Sequence, residues 1–400
     1  MRVLFSSLDS YGHLCPLVPL ALAASEAGHE VVFATAETRH AALRSVGLRP
    51  VAAGPSVEET FHFFARQSYG VTEGLRSGEL SEHQRNDLIA FVTGSFLPRR
   101  LTEQLLPVIA DFAPDLVVWE CYNFGAAFAA KLSGTPSLCH GICRITSFDL
   151  HDHIVSAARN TGVELLGPDW APDWGHSLGD RLLDIFPPSL QGLDFLAAEY
   201  RLELRPESAE AANPGDPVAA WAGTRPRPLV YLTMGTVFGS EQVLRQAVRG
   251  LGELEVDVLV ATGPKVRLDT FGSVPENVRL TSWIPQSAVL PHADLVVHHG
   301  GSGTTLGSVA GRCAATVPAP GRRPFRQRRR RVGGGRGATS VGRGPDSRND
   351  RGRGTGAAGR RGCPPRGGPR GRGDREDAVG QGDRRAARRP RAVMSPHPAG

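Results

Sequence analysis

The sequence predicts an α/β protein of two successive domains, each a parallel sheet flanked by helices, followed by a segment of a different kind. Three observations lead there. Short apolar runs alternate with helical stretches, and this alternation starts twice. Between the two series lies a Pro-rich linker, 206–228, with Pro206, Pro214, Pro217, Pro226 and Pro228 among Ala and Gly. The composition then breaks at Arg312. Residues 312–400 hold 24 Arg, no Lys and 6 acidic residues, a net of +18, and no Leu or Ile. The 46 basic and 40 acidic residues of the whole chain therefore leave 22 and 34 for residues 1–311, a net of −12. The first part reads as an acidic enzyme with enough apolar residues for two cores. The last part cannot bury enough surface to offset its chain entropy and is expected to be a disordered basic tail.

The elements follow in order. Residues 2–6 form a buried strand, a Gly-containing loop follows, and 16–27 form a helix that Gly28 ends. Residues 29–34 are the next strand, which completes a βαβ opening. The stretch from about 55 to 105 is helical, with Phe61, Phe63 and Phe64 along it. Strand 116–119, helix 125–132 and strand 137–140 continue the first domain, 1–205. After the linker, strands 229–233, 256–261, 278–280 and 295–298 enclose a helix at 240–251 and a helical turn at 287–290. Such an arrangement puts a cleft at the carboxyl ends of both sheets.

Six Cys, at 15, 121, 139, 143, 313 and 363, show no paired metal spacing. Cys139 and Cys143 flank His140, and buried thiols outweigh zinc as the reading. The first apolar run is too short for a signal peptide, and no run of about 18 apolar residues occurs, so the expected location is cytoplasmic, away from membranes.

The segment that carries most chemistry is His298-His299-Gly300-Gly301-Ser302-Gly303-Thr304-Thr305. It follows a strand and opens a helix, where free backbone N–H groups and the dipole favour a phosphate, and His298 at the strand end can add a hydrogen bond. An ordinary Gly-rich turn explains the glycines alone equally well. Upstream, Trp283-Ile284-Pro285-Gln286 offers a flat indole to stack on a base and an amide to bond its edge; for Trp283 alone, core packing is the commoner use. In the first domain, His13 follows the first strand at the cleft edge, where an imidazole can take a proton from a hydroxyl. Glu120 ends strand 116–119 at the same edge and can hold that imidazole's tautomer. Asp115 precedes its strand and points away.

These motifs, W-x-P-Q followed by H-x-G-G-S-G-T-T with Ser10-Tyr11-Gly12-His13-Leu14-Cys15-Pro16-Leu17 upstream, resemble the family-one glycosyltransferases of the GT-B fold. The bacterial enzymes that decorate natural products are nearest in pattern, and the similarity runs from Met1 to about Gly311. The resemblance implies two Rossmann-like domains and transfer of a sugar from a dTDP- or UDP-sugar to a hydroxyl of a small hydrophobic acceptor, such as a polyketide aglycone, with inversion. It implies His13 as catalytic base with Glu120 as its acid partner. Trp283 and Gln286 would meet base and ribose, and His298 with Gly300, Gly301, Ser302, Gly303 and Thr304 would hold the diphosphate. Thr236 matches a phosphate-contacting position. Loops around Phe61–Phe64, Tyr122–Phe124 and His140–Ile142 would set acceptor specificity, although core packing explains their aromatics equally well. No metal and no cofactor is implied; the nucleoside diphosphate sugar is the co-substrate. Two alternatives stand beside it: a catalytically dead donor-binding partner subunit, and a nucleotide-sugar epimerase of the same fold.

After Gly311 the resemblance calls for another strand, a sugar-gripping loop and closing helices, which the Arg-rich segment does not spell. Codons permitted for Gly321–Arg328, read from each second base, can give Gly-Ala-Asp-His-Phe-Val-Asn-Ala, which is similar to that loop. The same offset over Gly373–Arg391 can give an amphipathic helix. A one-base slip near Gly311 accounts for both, leaving an incomplete donor domain, 229–311, with little or no turnover. A nucleic-acid-binding tail is the competing reading; the absence of Tyr and Trp and the start inside a βα unit weigh against it.

Overall fold

The structure is a computed structural model that describes residues 1–71, 79–145, 149–172, 177–207, 217–235, 241–263 and 266–316. Thr236, and the tail from 317 on with the readings placed there, lie outside the described residues.

Seven strands form the first sheet: β1 (Arg2–Ser6), β2 (Glu30–Thr35), β3 (Pro50–Ala52), β4 (Leu116–Glu120), β5 (Ser137–His140), β6 (Arg181–Asp184) and β7 (Arg201–Glu203). Their spatial order is β3-β2-β1-β4-β5-β6-β7, and every pairing is parallel. Helices cover both faces, which is why β1, β2 and β4 read as near-continuous apolar runs and are buried almost throughout. Trp119, Phe5, Phe33, Phe124 and Phe128 fill this core.

Among the described residues the second sheet has five strands, β8 (Leu229–Thr233), β9 (Asp257–Ala261), β10 (Val278–Thr281), β11 (Leu295–His298) and β12 (Ala314–Thr316), ordered β10-β9-β8-β11-β12 and again all parallel. Leu259, Tyr231, Val289 and Val296 pack one side of it, and Leu232, Leu244, Val258 and Val260 the other. In each sheet the strand order reverses once, between β1 and β4 and between β8 and β11. At such a reversal neighbouring loops diverge and leave a crevice at the carboxyl ends of the strands.

Three local differences from the sequence reading have plain causes. The helix expected over 16–27 is Val18–Glu26, because Pro19 lacks the N–H that an earlier start would require of it; a separate turn of helix, Tyr11–Leu14, carries His13. Gly28, at φ +84, ends that helix as expected. The 206–228 stretch contains a helix, Pro217–Thr224, whose Ala222 is fully buried against Leu229, Tyr231 and Ile284. Ala-rich composition favours helix, and the burial secures it. The sheet also continues past 311: β12 pairs with β11, so the additional strand that the sequence seemed to lack is present. Its Ala-Ala-Thr is too short and too weakly apolar to read as a strand without the partner.

Candidate active site

At the first reversal, His13 and Glu120 meet. Nδ1 of His13 lies 2.9 Å from Oε2 of Glu120, whose side chain is fully buried, whereas that of His13 is 28% exposed. A carboxylate accepts, so Nδ1–H donates and Nε2 is left with the lone pair. Burial pushes the His13 pKa down, but the charge and hydrogen bond of Glu120 outweigh it, helped by Cys143 and Asp9, and the net direction is up. Oε1 of Glu120 has no partner among the described residues. The buried carboxylate hydrogen-bonded to the ring favours the protonated form of His13.

Several supports of this edge escaped the sequence reading. Asn123, fully buried, caps the helix Phe124–Leu132 by accepting from the Ala126 N–H, and donates to Ser6 Oγ at 2.8 Å. It ties the ends of β1 and β4 together beneath the pair. An Asn just before an apolar helical run is a capping signal and could have been found. Asp9 accepts from Val57 N–H and from Thr38 Oγ1, at 2.9 and 3.0 Å, and so gathers the loops after β1, β2 and β3. No local pattern marks those partners. Asp115 accepts from the Arg2 N–H at 2.7 Å, at the opposite end of the strands, as its position before β4 implied.

Of the loops read as acceptor-facing, Phe124 and His140 are fully buried and Ile142 nearly so, which corrects those three to core residues. They are apolar or neutral side chains at strand ends already covered by helices. Burial pushes His140 down to about 4. Phe63 is 49% exposed and joins Phe64, Phe91 and Phe96 in an edge-to-face cluster. Cys139 is sealed, and among the described residues no group of three or more His, Cys, Asp or Glu could hold a metal ion.

At the second reversal the Gly-rich segment forms a nest. Gly300, at φ +94, turns the chain from β11 into the helix Ser302–Ala310, which Gly301 precedes without any side-chain cap. The first bond inside that helix is Thr305 N–H to Gly301 carbonyl, so the N–H groups of Ser302, Gly303 and Thr304 have no partner within it. A Cβ on Gly301 would lie 2.5 Å from His299 Nε2, while one on Gly303 would meet nothing within 4 Å. The Gly300 N–H is already used: it donates to His298 Nδ1 at 3.2 Å. The free set is therefore narrower than the Gly300–Thr304 stretch read from sequence.

His298 is 1% exposed, and burial, with His299 beside it, pushes it down to about 4. The imidazole is neutral and carries its proton on Nε2. Gln286 donates through Nε2 to Thr304 Oγ1 at 2.9 Å, which joins the W-x-P-Q segment to the nest. Between them Ile284 is buried in the core, and Trp283 stands 56% exposed. An indole left so open is not core packing. Ile185 and Phe186, which follow β6, pack against Leu306 and Val309 of the nest helix.

Two parallel-sheet domains, each with a crevice at its strand reversal, have the architecture of the GT-B class of glycosyltransferases. Residues 22–194 match the model of the erythromycin biosynthesis protein CIII-like N-terminal domain, and residues 245–329 that of the corresponding C-terminal domain. The elloramycin glycosyltransferase ElmGT of Streptomyces olivaceus is 31% identical over 326 residues, covering 78% of each chain. The 3-alpha-mycarosylerythronolide B desosaminyl transferase of Saccharopolyspora erythraea is 27% identical, covering 76% of this chain and 78% of its own. Among solved structures, the glycosyltransferase SsfS6 of Streptomyces sp. SF2575, complexed with thymidine diphosphate, superposes with a TM-score of 0.60 at 27% identity, over 79% of this chain and 81% of that one. The chain belongs to the erythromycin biosynthesis protein CIII-like family of glycosyltransferases. The C-terminal match runs to 329, past the Gly311 limit read from sequence. No helix among the described residues is long and apolar enough to cross a membrane.

Proposed function

We propose that this chain is built to transfer a sugar from a dTDP- or UDP-sugar to a hydroxyl of a small hydrophobic acceptor, with inversion at the anomeric carbon. The observation that carries the reading is the His13–Glu120 hydrogen bond at the carboxyl edge of the first sheet. Nε2 of His13 takes the acceptor proton as its oxygen attacks, and Glu120 stabilises the imidazolium that results. The leaving diphosphate rests on the N–H groups of Ser302, Gly303 and Thr304 and on the Nε2–H of His298, with no metal required. Attack and departure on opposite faces of the sugar invert it. Trp283 stacks on the base, with Gln286 at the ribose side. Thr236 is assigned to phosphate by its place after β8 alone.

The relatives support this: one is a 3-alpha-mycarosylerythronolide B desosaminyl transferase, and SsfS6 was solved in complex with thymidine diphosphate. The test is acceptor-dependent release of dTDP or UDP, with the product's anomeric configuration read by NMR. Release that ignores the acceptor, or persists in His13→Ala, would remove the proposal. The residues after a point near Gly311 are proposed to be read one base out of frame, so the assay is run on the chain as written and on the reading at the shifted offset, with turnover expected in the second.

A further inference from the structure

The His13–Glu120 contact leaves one requirement unmet. A single hydrogen bond fixes one ring atom, not a ring plane, and the imidazole can still swing about that bond and carry Nε2 off line. A second constraint comes from Tyr122. Its ring lies edge-on to His13, centroids 5.9 Å apart at 65°. On another side the same ring meets His151 at 5.7 Å and 88°, and it also abuts Phe124 at 6.4 Å and 76°. The phenol is itself tethered: Oη is 3.1 Å from Nδ1 of His151 and 3.8 Å from Sγ of Cys143. His151 is 4% exposed on the helix Asp149–Leu166, so the tether runs into the packed interior rather than to a mobile surface group.

We propose that Tyr122 is a positioning residue that fixes the plane of the His13 ring, with its own ring locked through its hydroxyl to His151. The inference rests on the reading of His13 as the base. Three elements converge on the imidazole: the extension of β4 bearing Glu120 and Tyr122, the segment after β5 bearing Cys143, and the helix bearing His151. The charged and titratable groups around His13 are Glu120, Asp9 and Cys143, with His151 acting through Tyr122. Burial, ahead of the thiols of Cys143 and Cys121, drives the Tyr122 hydroxyl upward in pKa, so it stays a neutral phenol across the working range. Tyr122 itself transfers no proton.

The experiment uses the full chain with ring-15N histidine and follows the His13 Nδ1–H resonance, assigned by its loss in His13→Gln. A hydrogen bond from a held ring to a sealed carboxylate shields that proton from exchange. In Tyr122→Leu and in Tyr122→Phe the resonance is expected to broaden by exchange with water while the melting temperature stays the same. His151→Asn, whose side-chain amide reproduces the Nδ1 position, should keep it, and His151→Leu should lose it. On the in-frame enzyme, Tyr122→Phe should lower kcat by about tenfold with donor KM unchanged, the scale of a small misplacement of a reacting group. A resonance unchanged in both Tyr122 variants, or a rise in acceptor KM alone, overturns the proposal. Loss in Tyr122→Leu only overturns the His151 tether. If the wild-type chain shows no such resonance, the His13–Glu120 reading fails instead, which keeps the two failures apart.

Discussion

The Gly300 N–H donates to Nδ1 of His298, 3.2 Å away, and so ties an exposed turn residue to a histidine that is 1% exposed. That one bond occupies the Gly300 N–H and leaves the ring proton of His298 on Nε2. With its pKa pushed down to about 4, the ring is a neutral donor and not a cation. It sets the terms for several measurements.

His140 and His298 are both pushed down to about 4 by burial. An unfolded chain takes up a proton at each near the ordinary value of about 6.5. Between those values the unfolded state binds more protons than the folded one, so stability falls as pH falls through that window. From pH 6.5 to 5 each group contributes about 2 kcal/mol of that loss. His13, raised, has the opposite sign: its contribution is present below 6.5 and is lost as pH rises through its folded value. Urea titrations at pH 7 and pH 5 should show a smaller drop for His140→Gln than for wild type. Equal drops would sink the assignment.

Glu120→Gln keeps the shape of the pair and removes its charge. The in-frame enzyme is expected to lose kcat by roughly 10²- to 10⁴-fold, the range for disabling a positioned base. The acid limb of kcat/KM should start above 6.5 in wild type, because the neutral base is required and its pKa is raised, and move downward in the variant. A pH–rate profile of both checks it.

Trp283 is 56% exposed and contributes little to the core. Trp283→Ala should leave the melting temperature within about 2 °C, as surface changes do. Affinity for dTDP or UDP, read by calorimetry, should weaken about tenfold, the scale of one base stacked on an aromatic ring. Undiminished affinity would return the indole to the surface.

Gly301 and Gly303 separate packing from binding. Gly301→Ala puts a methyl 2.5 Å from the His299 ring and should both destabilise the protein and weaken diphosphate binding. Gly303→Ala meets open space in the first turn of a helix, where Ala exceeds Gly by about 1 kcal/mol, so stability should hold or rise. Thermal melts of the two variants decide whether the nest is as tight as described.

Sequencing the gene across codons 305–320 and onward should reveal an open frame one base away that spells an Asp- and Asn-bearing loop opposite Gly321–Arg328. A single uninterrupted frame without such a neighbour would remove the slip.

The sequence by itself determined the class of fold and marked where its candidate sites lie. Apolar runs such as 2–6 and 116–119, which lie between covering helices, have a signature that needs no partner to be read. Gly28, His13, Glu120 and the 298–304 segment sit at strand or helix ends, where residue type and backbone requirement coincide. Short elements were different. β12, the helix 217–224 and the strands β3, β6 and β7 owe their existence to a neighbouring strand or core, which three to eight residues do not encode by themselves. The same holds for Asp9, Tyr122 and His151, whose hydrogen-bond partners lie 21 to 48 residues away in the chain. Which glycine N–H stays free, and which histidine is neutral, was decided only by folding, because both depend on how water is excluded from a contact between distant segments.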